Sequence, residues 1–214
     1  MRVNRSAPQD TSDVRQSILE NGQRIMAGKG FSAVGLNEVL AAAQVPKGSF
    51  YHYFGSKEAF GEEMLEKYFE GYLAELETAL CSPGSTMAQR LIAYWQHWQE
   101  TQSFFDCQGK CLAVKLGAEV ADLSEAMRSA LMRGTSGITD RLGHAIKAGV
   151  AEGSLAINGD PDCVAQSLYQ LWLGASVMVK IVRHAKPFDA AMATTLQILH
   201  LPPASGQGAG CISV

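Results

Sequence analysis

This 214-residue sequence lacks paired cysteines. Its five cysteines are an odd number with no disulfide-framework spacing, so the chain reads as a protein of a reducing, cytoplasmic compartment. No apolar core of a secretory signal is visible near the N-terminus. Long apolar runs are also missing. The longest, Leu171 to Val182, contains Ser176 and Lys180 and is far shorter than the ~20 residues a bilayer requires, so no membrane association is expected. Strand-type alternation is absent too, which points to an all-α chain. Cys107 and Cys111 are spaced Cys-x-x-x-Cys rather than Cys-x-x-Cys, and no acid–His constellation accompanies them. That weighs against a thiol-dependent oxidoreductase, and against an enzyme generally. Two thiols without a nearby His or further Cys do not complete a tetrahedral metal site, so neither metal nor cofactor is expected.

A strong charge of one sign is likewise lacking, since the net charge is -3. Its distribution says more. Residues 1–60 carry seven Lys and Arg against five acids, a net of +2, while the remainder carries eleven against sixteen, a net of -5. A basic front on an acidic body is the asymmetry expected when only the front meets a polyanion.

What stands out is Val45 to Lys57, VPKGSFYHYFGSK. Pro46 suits the first position of a short helix, where its missing N–H would have no partner. Phe50 and Phe54 are four apart and share a face that can anchor that helix. Lys47, Ser49, Tyr51, His52 and Tyr53 then remain available, and Gly48 allows close approach of backbone to a surface. A compact core has no need of so many hydrogen-bonding tips on two turns. Positive charge, hydroxyls and close approach suit phosphates and base edges.

Along the chain, residues 1–10 read as a mobile arm carrying Arg2 and Arg5. A first helix starts near Ser12, with Val14, Ile18, Ile25 and the row Leu19, Gly22, Met26 inward, and stops at Gly28 and Gly30. A second, about Asn37 to Ala43, turns Leu36, Val39, Leu40 and Ala43 inward. With the short third helix they form a helix-turn-helix unit over residues 1–56. A long fourth helix capped by Ser56 leaves that unit and enters a second helical body, residues 57–201. In that body Met87, Leu91, Trp95, Trp98 and Phe105 stripe a fifth helix, and Cys111 to Val120 form a sixth. The seventh follows Ser124. Asp160-Pro161 starts the eighth, and Pro187 opens the ninth. Residues 202–214 read as a disordered tail.

The head resembles the recognition helix and following turn of the TetR family of helix-turn-helix repressors, whose pattern is G-x-x-Y-x-[YH]-F-x-x-K-[ED]. Here those positions are Gly48, Tyr51, Tyr53, Phe54, Lys57 and Glu58. The resemblance implies an all-α fold: an N-terminal three-helix DNA-binding unit followed by a helical ligand-sensing and dimerisation domain. It also implies a cytoplasmic homodimer on a palindromic double-stranded operator, with its recognition helices about one turn (~34 Å) apart. Carried over, Lys47, Gly48, Ser49, Tyr51, His52, Tyr53 and Lys57 would meet DNA. Lys57 and the tyrosine hydroxyls would hold phosphates, and Lys47, Ser49 and His52 would touch bases. Dimer contacts would come from Leu171, Trp172, Ala175, Val179, Val182 and Leu196, although intrachain core accounts for any one of them equally well. Trp95, Trp98, Phe104, Phe105, Trp172 and Met178 could line an inducer pocket or simply fill the core.

The segments GKCLAVKLGAEVADLSEAMRSA and LYQLWLGASVMVKI also resemble the NemR-type branch of that family, which represses flavin-dependent reductases and senses electrophiles and oxidants through cysteine. The resemblance places Cys111 at the sensing position, with Cys107 nearby and Lys180 as a thiolate-stabilising neighbour. The residues themselves agree, because a helix start beside Lys110 and Lys115 lowers a thiol pKa. Packing is the competing account of Cys111. In that case an ordinary small apolar ligand would be the inducer.

Overall fold

The computed structural model describes residues 11–102 and 111–202, and all regular structure among them is helical. Two compact units emerge, one drawn from residues 1–78 and 100–138, the other from 79–99 and 139–214. This division does not follow a boundary at residue 56. The fourth helix packs its first turns into the same apolar cluster as the reading head, so head and helix make one body.

In the first unit, α1 (Thr11–Lys29) buries Ile18, Leu19, Met26 and Ala27. It runs through Gly28 and ends at Gly30, which takes φ +97° while its N–H donates to Met26 O at 2.8 Å. Only glycine adopts that left-handed backbone without a steric cost. The next helix, α2 (Leu36–Ala42), begins one residue earlier than expected and buries Val39 and Leu40. A 3-10 turn, Lys47–Ser49, leads directly into α3 (Phe50–Tyr53).

Two details of this head differ from expectation. Pro46 stands before the turn, with ψ 140°, rather than as the first helical residue. Phe54 has already left the helix for an extended φ of -137°. The anchoring survives because the Phe50 and Phe54 rings lie 5.2 Å apart and both meet Phe60, at 5.8 and 5.0 Å. Phe60 belongs to α4 (Lys57–Leu80), whose first turn is capped by Ser56 Oγ accepting from the Ala59 N–H at 3.1 Å.

This unit is completed by α6 (Leu112–Leu123) and the first half of α7 (Glu125–Ala151). At Gly61, α4 passes close to both α7 and the turn after α1. A Cβ there would stand 2.4 Å from Met127 Sδ and 2.7 Å from the Phe31 ring.

In the second unit, Asp160 caps α8 (Pro161–Val182) by accepting from the N–H groups of Asp162 and Cys163 at 3.1 and 2.9 Å. With α9 (Lys186–Ile198) and most of α5 (Met87–Gln102), α8 surrounds an aromatic core. The Trp95 and Trp172 rings stack at 4.9 Å and 12°, and Phe188 lies 5.7 Å from Trp172 on a nearly parallel plane. Buried indole N–H groups usually find polar partners, and two of the three tryptophans here do. Trp98 Nε1 donates to Ser176 Oγ and Trp172 Nε1 to Thr195 Oγ1, each at 2.9 Å. No helix of the described residues is long and apolar enough to cross a membrane.

Candidate nucleic-acid interface and regulatory thiol

The turn from Lys47 to Tyr53 faces outward on one side only. Phe50 is buried at 1% exposure, whereas Tyr51 beside it is 72% exposed. Lys47, Gly48 and His52 are exposed, and Ser49 and Tyr53 half-buried. The side chains of Lys47, His52 and Tyr53 make no hydrogen bond or ion pair among the described residues. Buried rings therefore hold a short scaffold rigid while one ammonium, one imidazole and two phenols point away from it.

Lys57 is the exception among the seven expected DNA contacts. Its Nζ donates to Phe31 O at 2.8 Å and sits 4.6 Å above the Phe31 ring. The side chain that was expected to hold a phosphate is already engaged in closing the α1–α2 turn.

Sequence reasoning missed Glu119. From the third turn of α6 its carboxylate accepts from two consecutive backbone amides, Phe31 N–H at 3.1 Å and Ser32 N–H at 2.7 Å. Burial pushes this carboxyl up. The Ser32 side-chain and backbone donors, the Phe31 N–H and the charge of Lys115 outweigh that and hold it below its ordinary value. No local pattern announces a contact spanning almost ninety residues.

Cys111 is the N-cap of α6, one residue before the helix expected to begin with it, and is only 2% exposed. Its N–H donates to the buried Gln102 Oε1 at 3.4 Å, and its carbonyl accepts from Val114 and Lys115 at 3.1 Å each. Cys107, with Phe104, Phe105 and Lys110, lies outside the described residues. Lys180 is half-buried in the last turn of α8, in the other unit. Cys81 and Cys163 are exposed. A side-chain hydrogen bond to Asp160, and that residue's charge, push the Cys163 thiol up.

The expected inducer pocket is redistributed. Trp95, Trp98 and Trp172 are packed core at 0, 3 and 0% exposure, while Met178 is on the surface. A cleft of about 430 Å³ opens elsewhere, between α1 and α4, lined largely by charged side chains such as Arg15, Glu63, Glu66 and Glu70. Of the expected dimer contacts, Trp172, Ala175 and Val179 are intrachain core, and Leu171, Val182 and Leu196 are half-buried. The apolar residues that do stand out on α8 are Val177, Met178 and Ile181. The buried part of the expected stripe and these exposed residues lie on different sides of the helix.

Comparison with known proteins agrees with a reading head on a helical body. Residues 18–64 match the bacterial regulatory proteins of the tetR family, and residues 88–195 match the tetracyclin repressor-like C-terminal domain. The chain belongs to the TetR family of DNA-binding transcriptional repressors.

Among curated relatives, it is 42% identical over 193 residues to the HTH-type transcriptional repressor NemR of Escherichia coli (strain K12), covering 89% of this chain and 96% of that one. It is 32% identical over 186 residues to the HTH-type transcriptional repressor DhaR of Mycobacterium sp. (strain GP1), covering 87% and 92%. The crystal structure of the reduced form of E. coli NemR superposes with a TM-score of 0.83 at 43% identity, covering 89% of this chain and 98% of that one.

Proposed function

We propose that this protein is a cytoplasmic, homodimeric, NemR-like repressor that releases a palindromic operator when an electrophile or oxidant modifies Cys111. Lys47, Ser49 and His52 read bases, and Tyr51 and Tyr53 hold phosphates. Gly48 lets the backbone close in on the DNA. Lys57 keeps the head folded. The observation that carries the regulatory reading is the place of Cys111. A buried thiol at the N-cap of a helix has no room for an adduct, and packed layers answer such insertions by shifting rather than compressing. Cys107 is the second candidate thiol.

The test is operator binding by wild type, Cys111→Ser and Cys107→Ser, with and without N-ethylmaleimide. Wild type and Cys107→Ser should release the DNA while Cys111→Ser stays bound. If Cys111→Ser releases like wild type, the cysteine is packing.

One observation favours a second reading in that event. Trp95 Nε1 is a fully buried donor with no hydrogen-bond partner among the described residues. A reversible small ligand offering an acceptor beside Trp95 and Trp172 would satisfy it, and tryptophan fluorescence quenched by such a ligand would show it.

A further inference from the structure

Resting on the thiol reading above, we propose that Glu119 is the positioning residue through which α6 sets the turn between α1 and α2, so that a displacement of α6 at Cys111 reaches the reading head. The two residues occupy one helix, Cys111 at its cap and Glu119 eight residues on, which is about 12 Å of rigid rod. Between them Leu112 and Leu116 are buried, so a push on the cap moves the rod rather than bending a free end.

At its far end the rod grips backbone rather than side chain. Glu119 accepts from both Phe31 N–H and Ser32 N–H, two consecutive donors of the turn that follows α1. The chain is shaped for this grip. Gly30 carries φ +97°, and a Cβ there would stand 3.0 Å from Glu119 Oε2.

Phe31 is also the node where α4 attaches, through Lys57 on its carbonyl and ring and through the close passage at Gly61. From Phe31 the chain runs directly into α2 and then the 3-10 turn that bears Lys47 and Ser49. Hydrogen bonds of 2.7 and 3.1 Å weaken steeply with misalignment, so an axial shift of about an ångström is enough to loosen them. α4 reaches the same node from the other side, through the Lys57 hydrogen bond to Phe31 O and through apolar contacts. Glu119 adds a directional link that does not pass through α4.

The modification itself needs no co-reactant beyond the electrophile. The Cys111 sulfur adds across the maleimide double bond, the thiol proton ends on the adjacent ring carbon, and nothing leaves. The experiment compares operator affinity before and after full alkylation of Cys111, verified by mass spectrometry, in wild type, Glu119→Gln and Glu119→Ala. The DNA is an operator selected from random duplexes by the wild-type protein.

Wild type should weaken about ten-fold or more on alkylation, and both variants only about two-fold, whatever their untreated affinity. In wild type, hydrogen exchange at the Phe31 and Ser32 amides should accelerate on alkylation. This readout needs no variant to fold. Variants that release as strongly as wild type, or amides that exchange at an unchanged rate while wild type releases, overturn the role of Glu119 and leave the thiol reading standing. A wild type that ignores the maleimide overturns both.

Discussion

Lys57 Nζ donates to the carbonyl of Phe31 at 2.8 Å and stands 4.6 Å above the centre of the same residue's ring. The first residue of α4 thereby closes the turn that follows α1. Lys57→Ala should lower stability by roughly 1–2 kcal/mol, the sum of about one hydrogen bond and one cation–π contact. Its effect on the salt dependence of operator binding should stay well below the slope change of ~1 that a lost phosphate contact produces. Urea unfolding and binding titrations at several salt concentrations check both. A full unit of slope change at unaltered stability would return Lys57 to the phosphates.

Side chains that point away from the head should behave in the opposite way. Tyr51→Ala, Lys47→Ala and His52→Ala remove exposed groups, so each should leave unfolding within about 0.5 kcal/mol of wild type. Lys47→Ala and His52→Ala should change preference among operators, at roughly 1–3 kcal/mol for each lost base contact. Tyr51→Ala should weaken all operators alike. Competition binding with single-base operator variants separates the two patterns.

Acid should reveal the hold of Glu119 on the turn. Its folded-state pKa lies below its ordinary value, because the donors from Ser32 and Phe31 and the charge of Lys115 outweigh the upward push of burial. A depressed carboxylate pKa contributes stability that is complete above the unfolded value, about 4.3, and is lost as pH falls through the folded one. Asp160, lowered by the amides it caps, acts with the same sign at the start of α8. Wild type should therefore lose stability below about pH 4.5, and Glu119→Gln should lose less over the same interval. Urea midpoints between about pH 3 and 6 measure it. Parallel curves for the two proteins would show that the carboxylate does not hold the turn in its charged form.

The exposed apolar residues of α8 invite a different measurement. Leu171, Gly174, Met178 and Ile181 recur at helical spacing along one line, half-buried at the first and exposed at the other three. In the homodimer proposed above, such a line would seat the second copy. Met178→Glu and Ile181→Glu should convert a dimer to a monomer in analytical ultracentrifugation while leaving the monomer folded, since neither side chain contributes to the core. An unchanged dimer would move the interface elsewhere.

How much of this was legible beforehand depended on how far apart in sequence the cooperating residues are. Helix caps were readable because their chemistry is local. Ser56 accepts from a backbone N–H three residues on, Asp160 from those two and three residues on, and Gly30 ends α1 through its own backbone. The outward polar tips of Val45 to Lys57 were readable because two phenylalanines four apart leave a complementary face. Phe54 kept its anchoring role even though it sits in an extended residue, because a ring of that size reaches Phe50 and Phe60 from either backbone geometry.

Phase and partnership were not local. The α8 stripe alone could not say whether Ala175 and Val179 or Met178 and Ile181 faced inward, because the helix is apolar over more than half its circumference. The packing of Trp172 against Trp95 and Phe188 settled which side is core. The nominal pocket residues became a stack for the same reason. Lys57 and Glu119 show the limit most clearly. In sequence each is a charged residue near a helix start or on an ordinary helix face. Only folding brings both to the peptide groups of Phe31, whose N–H and C=O lie beyond the end of α1 and find charged side-chain partners far along the chain.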